Sequence, residues 1–152
     1  MTTFTLLPAA LDSQLQREAG MSHFEFGVMA VLSRQSDRRL QLKELAVGVN
    51  GSLSRLSHVI SRMERRGWVR RSSGAKGRAT HAVLTNEGYR TLMAAGPIHF
   101  REVRRLVFDV LTPEEVKALR LVTGRVNAGL LGDVDLGTLA RRVRERSTRE
   151  SS

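Results

Sequence analysis

The sequence predicts a mainly α-helical protein with a small β-hairpin, which is an α+β fold. Apolar residues recur every three or four positions from residue 4 to residue 130, which is the spacing of amphipathic helices. Two short segments, 68–71 and 80–84, are predicted as strands on either side of a glycine-containing loop. The chain of 152 residues, 41% of them hydrophobic, is long enough for one domain around one core.

The first helix is predicted over residues 3–19. Pro8 falls in its first turns, where proline is tolerated, and Gly20 is well placed to end it. Its apolar residues follow helical spacing: Phe4, Leu7, Leu11 and Leu15.

The second helix is predicted to begin with a capping box, in which Ser22 and Glu25 each bond the other's backbone. Its buried stripe is predicted to comprise Phe24, Val28, Val31 and Leu32. A turn over residues 36–39 follows. After it we expect a short extended segment at 40–42 and a short helix at 42–49.

The next helix is predicted from Ser52, as its N-cap, to about Arg66, with Gly67 just past its end. The turn signal Asn50-Gly51 precedes it. Four apolar residues fall on one face at 100° per residue and are predicted to pack on the preceding helices: Leu53, Leu56, Ile60 and Met63.

Two helices are predicted after the hairpin. Thr85 caps the first, which Gly96-Pro97 should kink or break. The second begins at Thr112-Pro113-Glu114-Glu115, which combines a capping box with a proline in the first helical position. Its apolar stripe comprises Val116, Leu119, Val122, Val126 and Leu130.

This order of elements, helices followed at once by a hairpin, is that of a winged helix-turn-helix. We expect residues 22–85 to form that lobe within a single domain that spans residues 1–152. The flanking helices, 1–20 and 86–131, carry spare apolar surface and are predicted to bind a partner chain. Residues 132–152 form a basic tail that we expect to be flexible or partly helical.

Positive charge is concentrated between Ser52 and Thr80. Eight basic residues and one acid, Glu64, give this segment +7 of the chain's formal net charge of +10. A basic helix followed by a basic hairpin suits a polyanion with grooves, and double-stranded DNA is the first candidate. A basic surface by itself would equally suit RNA or an anionic membrane.

The outward face of the helix at 53–66 is the predicted DNA-reading surface. Arginine can donate two hydrogen bonds to the O6 and N7 acceptors of guanine, and hydroxyls can bond phosphates or base edges. The alternative is an ordinary solvated face, but such faces usually mix charges of both signs. The predicted contact residues are Ser52, Ser54, Arg55, His58, Ser61, Arg62 and Arg65.

The loop at 72–79 is the predicted wing. Arg78 near its tip is expected to enter the minor groove, and Lys76 to meet phosphate. The loop could also be a plain surface turn. A phosphate-cradling loop is disfavoured, because the GxxxxGK[ST] pattern is missing and the loop opens a strand rather than a helix.

Several function classes are disfavoured. The chain has no cysteine, so thiolate metal sites, disulfides and thiol redox sensing are excluded. The four histidines show no metal-ligand spacing and the serines no GxSxG elbow, so we expect neither enzyme, cofactor nor metal. No signal peptide or membrane span is evident, which favours a soluble protein of the cytoplasm.

At this point the sequence resembles the MarR family of bacterial winged-helix regulators. The matching segments are LKELAVGVNGSLSRLSHVISRMERRGWVRR, GRATHAVLTNEG and LTPEEVKAL, which lie within residues 5–130. The resemblance implies a homodimer held by the terminal helices, on a pseudo-palindromic operator. It also implies a repressor that a small phenolic or anionic ligand often releases.

The resemblance assigns roles by position. Ser54, Arg55, His58, Ser61 and Arg62 match recognition-helix positions. Arg78 matches the wing arginine, but Lys76 stands where the family often has an aspartate. The ligand pocket would lie where the first helices meet the DNA-binding lobe, with these candidate liners: His23, Phe24, Phe26 and Met29.

Two other functions stay open. One is nonspecific nucleic-acid binding, as in a nucleoid-associated protein. The low aromatic content of 5% disfavours a base-stacking platform for RNA or single strands. The other is membrane binding through the basic tail, which lacks an apolar anchor beyond Val143.

Overall fold

The computed structural model describes residues 2–73 and 79–131. Over these ranges the chain forms six α-helices and a three-stranded antiparallel sheet, so the predicted α+β class is confirmed. In chain order the elements are α1 (Thr2–Ala19), α2 (His23–Ser33), β1 (Arg39–Gln41), α3 (Leu42–Gly48), α4 (Leu53–Arg65), β2 (Val69–Ser73), β3 (Thr80–Leu84), α5 (Asn86–Val103) and α6 (Pro113–Leu131).

The predicted helix ends are confirmed where their signals are local. Ser22 and Glu25 form the capping box of α2, and Ser52 accepts a hydrogen bond from the backbone of Arg55 at the start of α4. Gly20 and Gly67 adopt φ of +62° and +72°, the left-handed conformation that ends a helix and suits glycine. These signals fix the end of α1, the start of α2 and both ends of α4.

The sheet contains one strand more than the predicted hairpin. β3 lies in the centre, with β2 and β1 antiparallel on its two sides. The short extended segment predicted at 40–42 is thus an edge strand at Arg39–Gln41, which pairs with β3 and leads directly into α3. Its pairing partner, centred on Ala82, lies about forty residues along the chain.

Two compact units lie within the chain, one within Met1–His99 and the other within Phe100–Ser152. The core of the first unit joins α1 to α4 with the sheet. Its fully buried side chains include Leu15, Met21, Met29, Leu32, Leu45, Leu56, Ile60 and Met63.

Several predicted core positions differ in the structure. Leu53 is 44% exposed, and Val59 takes the fourth buried position of α4. Leu53 is the first residue of the helix, where the core has not yet closed over it. Phe4 is likewise 84% exposed near the start of α1. In α2, Phe26 and Met29 are buried, whereas two members of the predicted stripe, Phe24 and Val31, are only partly buried.

The helix α5 continues through Gly96-Pro97, so of the predicted kink or break, the break is wrong. Proline removes the hydrogen bond that its N–H would donate to the carbonyl of Met93. The loss of this one hydrogen bond does not end α5. A π-helical segment, Arg104–Phe108, follows α5.

The helix α6 begins as predicted. Thr112 and Glu115 exchange hydrogen bonds between side chain and backbone, at 2.8 and 3.3 Å. Its apolar stripe is exposed over most of its length: Leu119, Val122, Val126 and Leu130. No helix of the described ranges is long and apolar enough to cross a bilayer.

Candidate nucleic-acid interface

The helix α4 presents one apolar face to the core and one polar face to solvent. Leu56, Val59, Ile60 and Met63 anchor it and thereby decide which side chains point outward. All seven predicted contact residues of this helix and its N-cap are exposed: Ser52, Ser54, Arg55, His58, Ser61, Arg62 and Arg65.

The seven residues are not equally free. The hydroxyl of Ser52 accepts the N–H of Arg55 at 3.2 Å, so its first role is to cap α4. Ser61 donates its hydroxyl to the carbonyl of Ser57 at 3.1 Å. Ser54 and His58 carry no hydrogen bond from another part of the described chain, and they are the more adaptable polar groups of this face.

Arg62 is held by a buried acid. Its Nε donates to Oε1 of Glu25 at 2.8 Å, although the two residues lie 37 positions apart. The side chain of Arg62 is 51% exposed and that of Glu25 only 3%. The arginine therefore bridges from the core to the outward face.

Glu25 stays ionised in this environment. Burial raises the pKa of Glu25, but hydrogen bonds from the backbone of Ser22 and from Arg62, together with the positive charge of Arg62, outweigh it. The pKa of Glu25 therefore lies below its ordinary value. The ion pair beneath α4 is charged on both sides at neutral pH.

A second acid–arginine pair joins α4 to the hairpin. Arg71 on β2 pairs with Glu64, and Nη2 of Arg71 donates to the carbonyl of Ser57 and to the hydroxyl of Ser61, each at 3.0 Å. Sequence reasoning missed this network. The available signal was that Glu64 is the one acid in a strongly basic segment, which suggests an internal partner.

Three arginines lie over aromatic rings. The guanidinium of Arg55 stands 4.3 Å from the ring centroid of Phe24, and that of Arg66 stands 3.6 Å from the ring of Trp68. Arg66 also donates to the carbonyl of Gly20 at 2.8 Å. Arg38 stacks on the ring of Tyr89. These stacked side chains keep their charge near the surface in defined positions.

The structure describes the two strands of the wing, β2 and β3. β2 and β3 pair from Val69 with Leu84 to Ser73 with Thr80, so the two strands extend to the residues that flank the loop. Lys76 and Arg78, the predicted wing contacts, lie outside the described residues.

A cavity of about 620 Å³ opens beside the outward face of α4. Of the four candidate ligand-pocket residues, His23 and Phe24 line this cavity. Phe26 and Met29 are buried in the core because they lie on the inward face of α2. The lining residues are Pro8, Asp12, Ser22, His23, Phe24, Arg55, His58, Val59 and Arg62.

The ring of His99 packs against the rings of His23 and Phe26. The ring centroids of the two histidines are 5.2 Å apart, and the ring of Phe26 is 4.6 Å from that of His99. Burial, and then the neighbouring His23, lower the pKa of His99. In the part of the chain that the structure describes, no three His, Asp or Glu side chains are grouped to hold a metal.

The fold is similar to those of solved transcriptional regulators. A MarR family regulator from Streptomyces coelicolor, solved in complex with DNA, is 43% identical, with a TM-score of 0.82 over 89% of this chain and 86% of that one. AbsC, a MarR family regulator from the same organism, is 32% identical, with a TM-score of 0.80 over 86% and 88%. The M. tuberculosis regulator MosR, also in complex with DNA, is 26% identical, with a TM-score of 0.64 over 84% and 92%.

No protein-family model matches the sequence, and no curated protein does either. The solved structures are sufficient by themselves, because the first two combine at least 30% identity with coverage of more than four fifths of both chains. This chain belongs to the MarR family of transcriptional regulators.

Proposed function

We propose that the protein is a sequence-specific, double-stranded DNA-binding transcriptional regulator, acting as a homodimeric repressor in the bacterial cytoplasm. One observation carries the proposal: α4 exposes hydroxyl, imidazole and guanidinium groups along one face while its opposite face is locked into the core. Two of the similar structures are DNA complexes, which supports the same reading.

The charge of the interface favours duplex DNA. Glu64, the single acid of the segment at 52–80, is occupied by Arg71. Within the described residues, Arg65 and Arg70 are exposed and make no ion pair. A helix of 13 residues is ~20 Å long at 1.5 Å per residue, which suits a major groove ~12 Å wide.

The apolar surface of α6 supports a dimer. Leu119, Val122, Val126 and Leu130 are between 39% and 79% exposed, and these four residues repeat at helical spacing. An apolar stripe of this kind is the usual mark of a partner surface. A two-fold dimer would present two copies of α4 to half-sites about 10 bp apart, one helical turn of DNA.

Selection of bound sequences from a random duplex library tests the proposal. We expect an enriched pseudo-palindrome, and footprinting on it should show two protected half-sites. Enrichment of no sequence, with equal affinity for all duplexes, would instead support nonspecific nucleic-acid binding. Protection of one half-site would contradict the dimeric arrangement.

Substitutions divide the interface into base and backbone contacts. Arg55→Ala should weaken operator binding more than binding to random duplex, by ~1–3 kcal/mol if Arg55 contacts a base. The matched control is Arg90→Ala on α5, which removes the same charge from an exposed arginine that pairs with Glu87. Equal losses for the two variants would mean that net charge alone governs affinity.

We also propose that the cavity beside α4 is the effector site. Three of its lining residues, Arg55, His58 and Arg62, belong to the outward face of α4, so an anion bound there would compete with DNA. Benzoate is a suitable probe because it joins an aromatic ring to a carboxylate. It should raise the melting temperature and weaken operator binding, and His23→Leu should reduce both effects. No shift at millimolar benzoate would oppose this class of ligand.

A further inference from the structure

The carboxylate of Glu25 serves two elements at once. Its Oε2 accepts the backbone N–H of Ser22 at 2.8 Å and the hydroxyl of Ser22 at 3.2 Å. Its Oε1 accepts Nε of Arg62 at 2.8 Å. One oxygen therefore completes the capping box of α2, while the other holds a side chain of α4.

The capping role does not require this charge. Glutamine serves at the third position of a capping box as well as glutamate does, because the box needs only an acceptor for the N-cap N–H. A buried carboxylate, in contrast, is costly unless it is paired. Glu25 is 3% exposed, and Arg62 is its cationic partner. The charge is therefore explained by Arg62 rather than by the start of α2.

The bond to Glu25 uses only Nε of Arg62 and leaves its two terminal nitrogens available. A guanidinium carries five N–H donors in a rigid plane, and Glu25 engages the one on Nε. The donors on Nη1 and Nη2 are not engaged by Glu25, and the side chain is half exposed on the outward face of α4. Paired donors of this geometry match the O6 and N7 acceptors of guanine.

Anchoring also reduces the entropy that binding would cost. A free arginine on a helix surface samples many rotamers, and ordering it on DNA opposes association. Arg65, the next arginine of α4, has no such anchor within the described residues and must be ordered on contact. Arg62 is already ordered in the free protein, because the backbone N–H of Ser22 fixes its carboxylate partner.

We propose that Glu25 is a positioning residue for DNA recognition, which holds Arg62 by Nε so that its two terminal nitrogens face a base in the major groove. The inference rests on the proposed function, since it assigns a role within the same DNA-binding face. It makes a residue of α2 that is buried and touches no DNA a determinant of sequence preference.

The test is a double-mutant cycle of Glu25→Gln and Arg62→Met, with affinity measured on the selected operator and on random duplex. Glu25→Gln keeps the acceptor for the cap and removes the charge. We expect Glu25→Gln to lose about tenfold on the operator and less than about twofold on random duplex, near the lower end of the discrimination of one bidentate contact. In the Arg62→Met background, Glu25→Gln should lose nothing further.

A capping control separates positioning from folding. Ser22→Ala removes the capping hydroxyl, but it keeps the backbone N–H that holds the Glu25 carboxylate against Arg62. It should lower the melting temperature at least as much as Glu25→Gln does, with operator affinity within about twofold of wild type. All affinities are measured well below the lowest melting temperature of the set.

Three results would overturn the inference: full operator affinity in Glu25→Gln, additive losses in the cycle, or a Ser22→Ala variant that loses operator preference equally. Each of these results leaves the proposed function intact if the wild-type protein still enriches a DNA sequence. A wild-type protein that enriches no sequence overturns both the proposed function and this inference.

Discussion

Replacing Gly88 by alanine is expected to destabilise the fold, although alanine favours helices. Gly88 lies in the first turn of α5, directly against the backbone of Trp68, the residue before β2. A Cβ atom added there would lie 2.1 Å from the carbonyl oxygen of Trp68 and 2.8 Å from Cδ1 of Leu84. Atoms in proteins essentially never approach a Cβ closer than 3.0 Å, so backbone must move by about 1 Å.

The movement would strain the bonds that dock α5. Thr85 donates its N–H to the carbonyl of Trp68 at 3.0 Å and its hydroxyl to that of Gly67 at 2.6 Å. Overpacking costs ~1–3 kcal/mol, and weakening one such hydrogen bond costs ~1 kcal/mol more. The helix propensity of alanine returns ~1 kcal/mol. The net loss in unfolding free energy should be about 1–3 kcal/mol.

Urea unfolding followed by circular dichroism measures this loss. The matched control is Gly27→Ala in α2, where an added Cβ meets nothing within 4 Å. The control should gain up to ~1 kcal/mol, because only helix propensity changes. A Gly88→Ala variant as stable as wild type, or a pair of variants that shift together, would refute the close-approach argument.

Three further predictions concern the cap, the buried acid and the wing. Ser52→Ala should lower the unfolding free energy by ~1 kcal/mol in urea melts, whereas Ser54→Ala, which removes a hydroxyl with no cap bond, should change it by less than ~0.5 kcal/mol. The pKa of Glu25 is lower in the folded protein, so its stabilisation is present above the ordinary value of 4.5 and is lost as pH falls through the folded pKa. Acid titration of stability should therefore be shallower for Glu25→Gln, and an unchanged profile would contradict a charged pair. Lys76→Ala should reduce the slope of log affinity against log salt by about one unit, and an unchanged slope would remove the expected phosphate contact.

Local sequence signals predicted the ends of the elements. The capping boxes at Ser22 and Thr112 and the left-handed glycines Gly20 and Gly67 lie where their patterns placed them. These signals involve hydrogen bonds between residues three or four positions apart, so a short window of sequence contains both partners. The exposed face of α4 followed for the same reason, from helical spacing alone.

Signals that depend on distant partners were missed or misplaced. Leu53 and Val59 both fit an apolar stripe, and only the surrounding helices decide which one is covered. The pairing of β1 with β3 joins segments about forty residues apart. The sequence predicted the extended segment at 40–42 but not its pairing with the hairpin. The break predicted at Gly96-Pro97 was wrong, because the one hydrogen bond lost at Pro97 does not end α5.

By itself, the sequence determined that this protein is a basic, mainly helical winged-helix chain with an arginine- and serine-rich outward face on α4. Periodicity, caps and charge are properties of neighbouring residues and can be seen in one dimension. The tertiary structure alone decided which of those arginines are free and which are held. Arg62 and Glu25 are 37 positions apart in the chain and 2.8 Å apart in space, and only folding brings such a pair together.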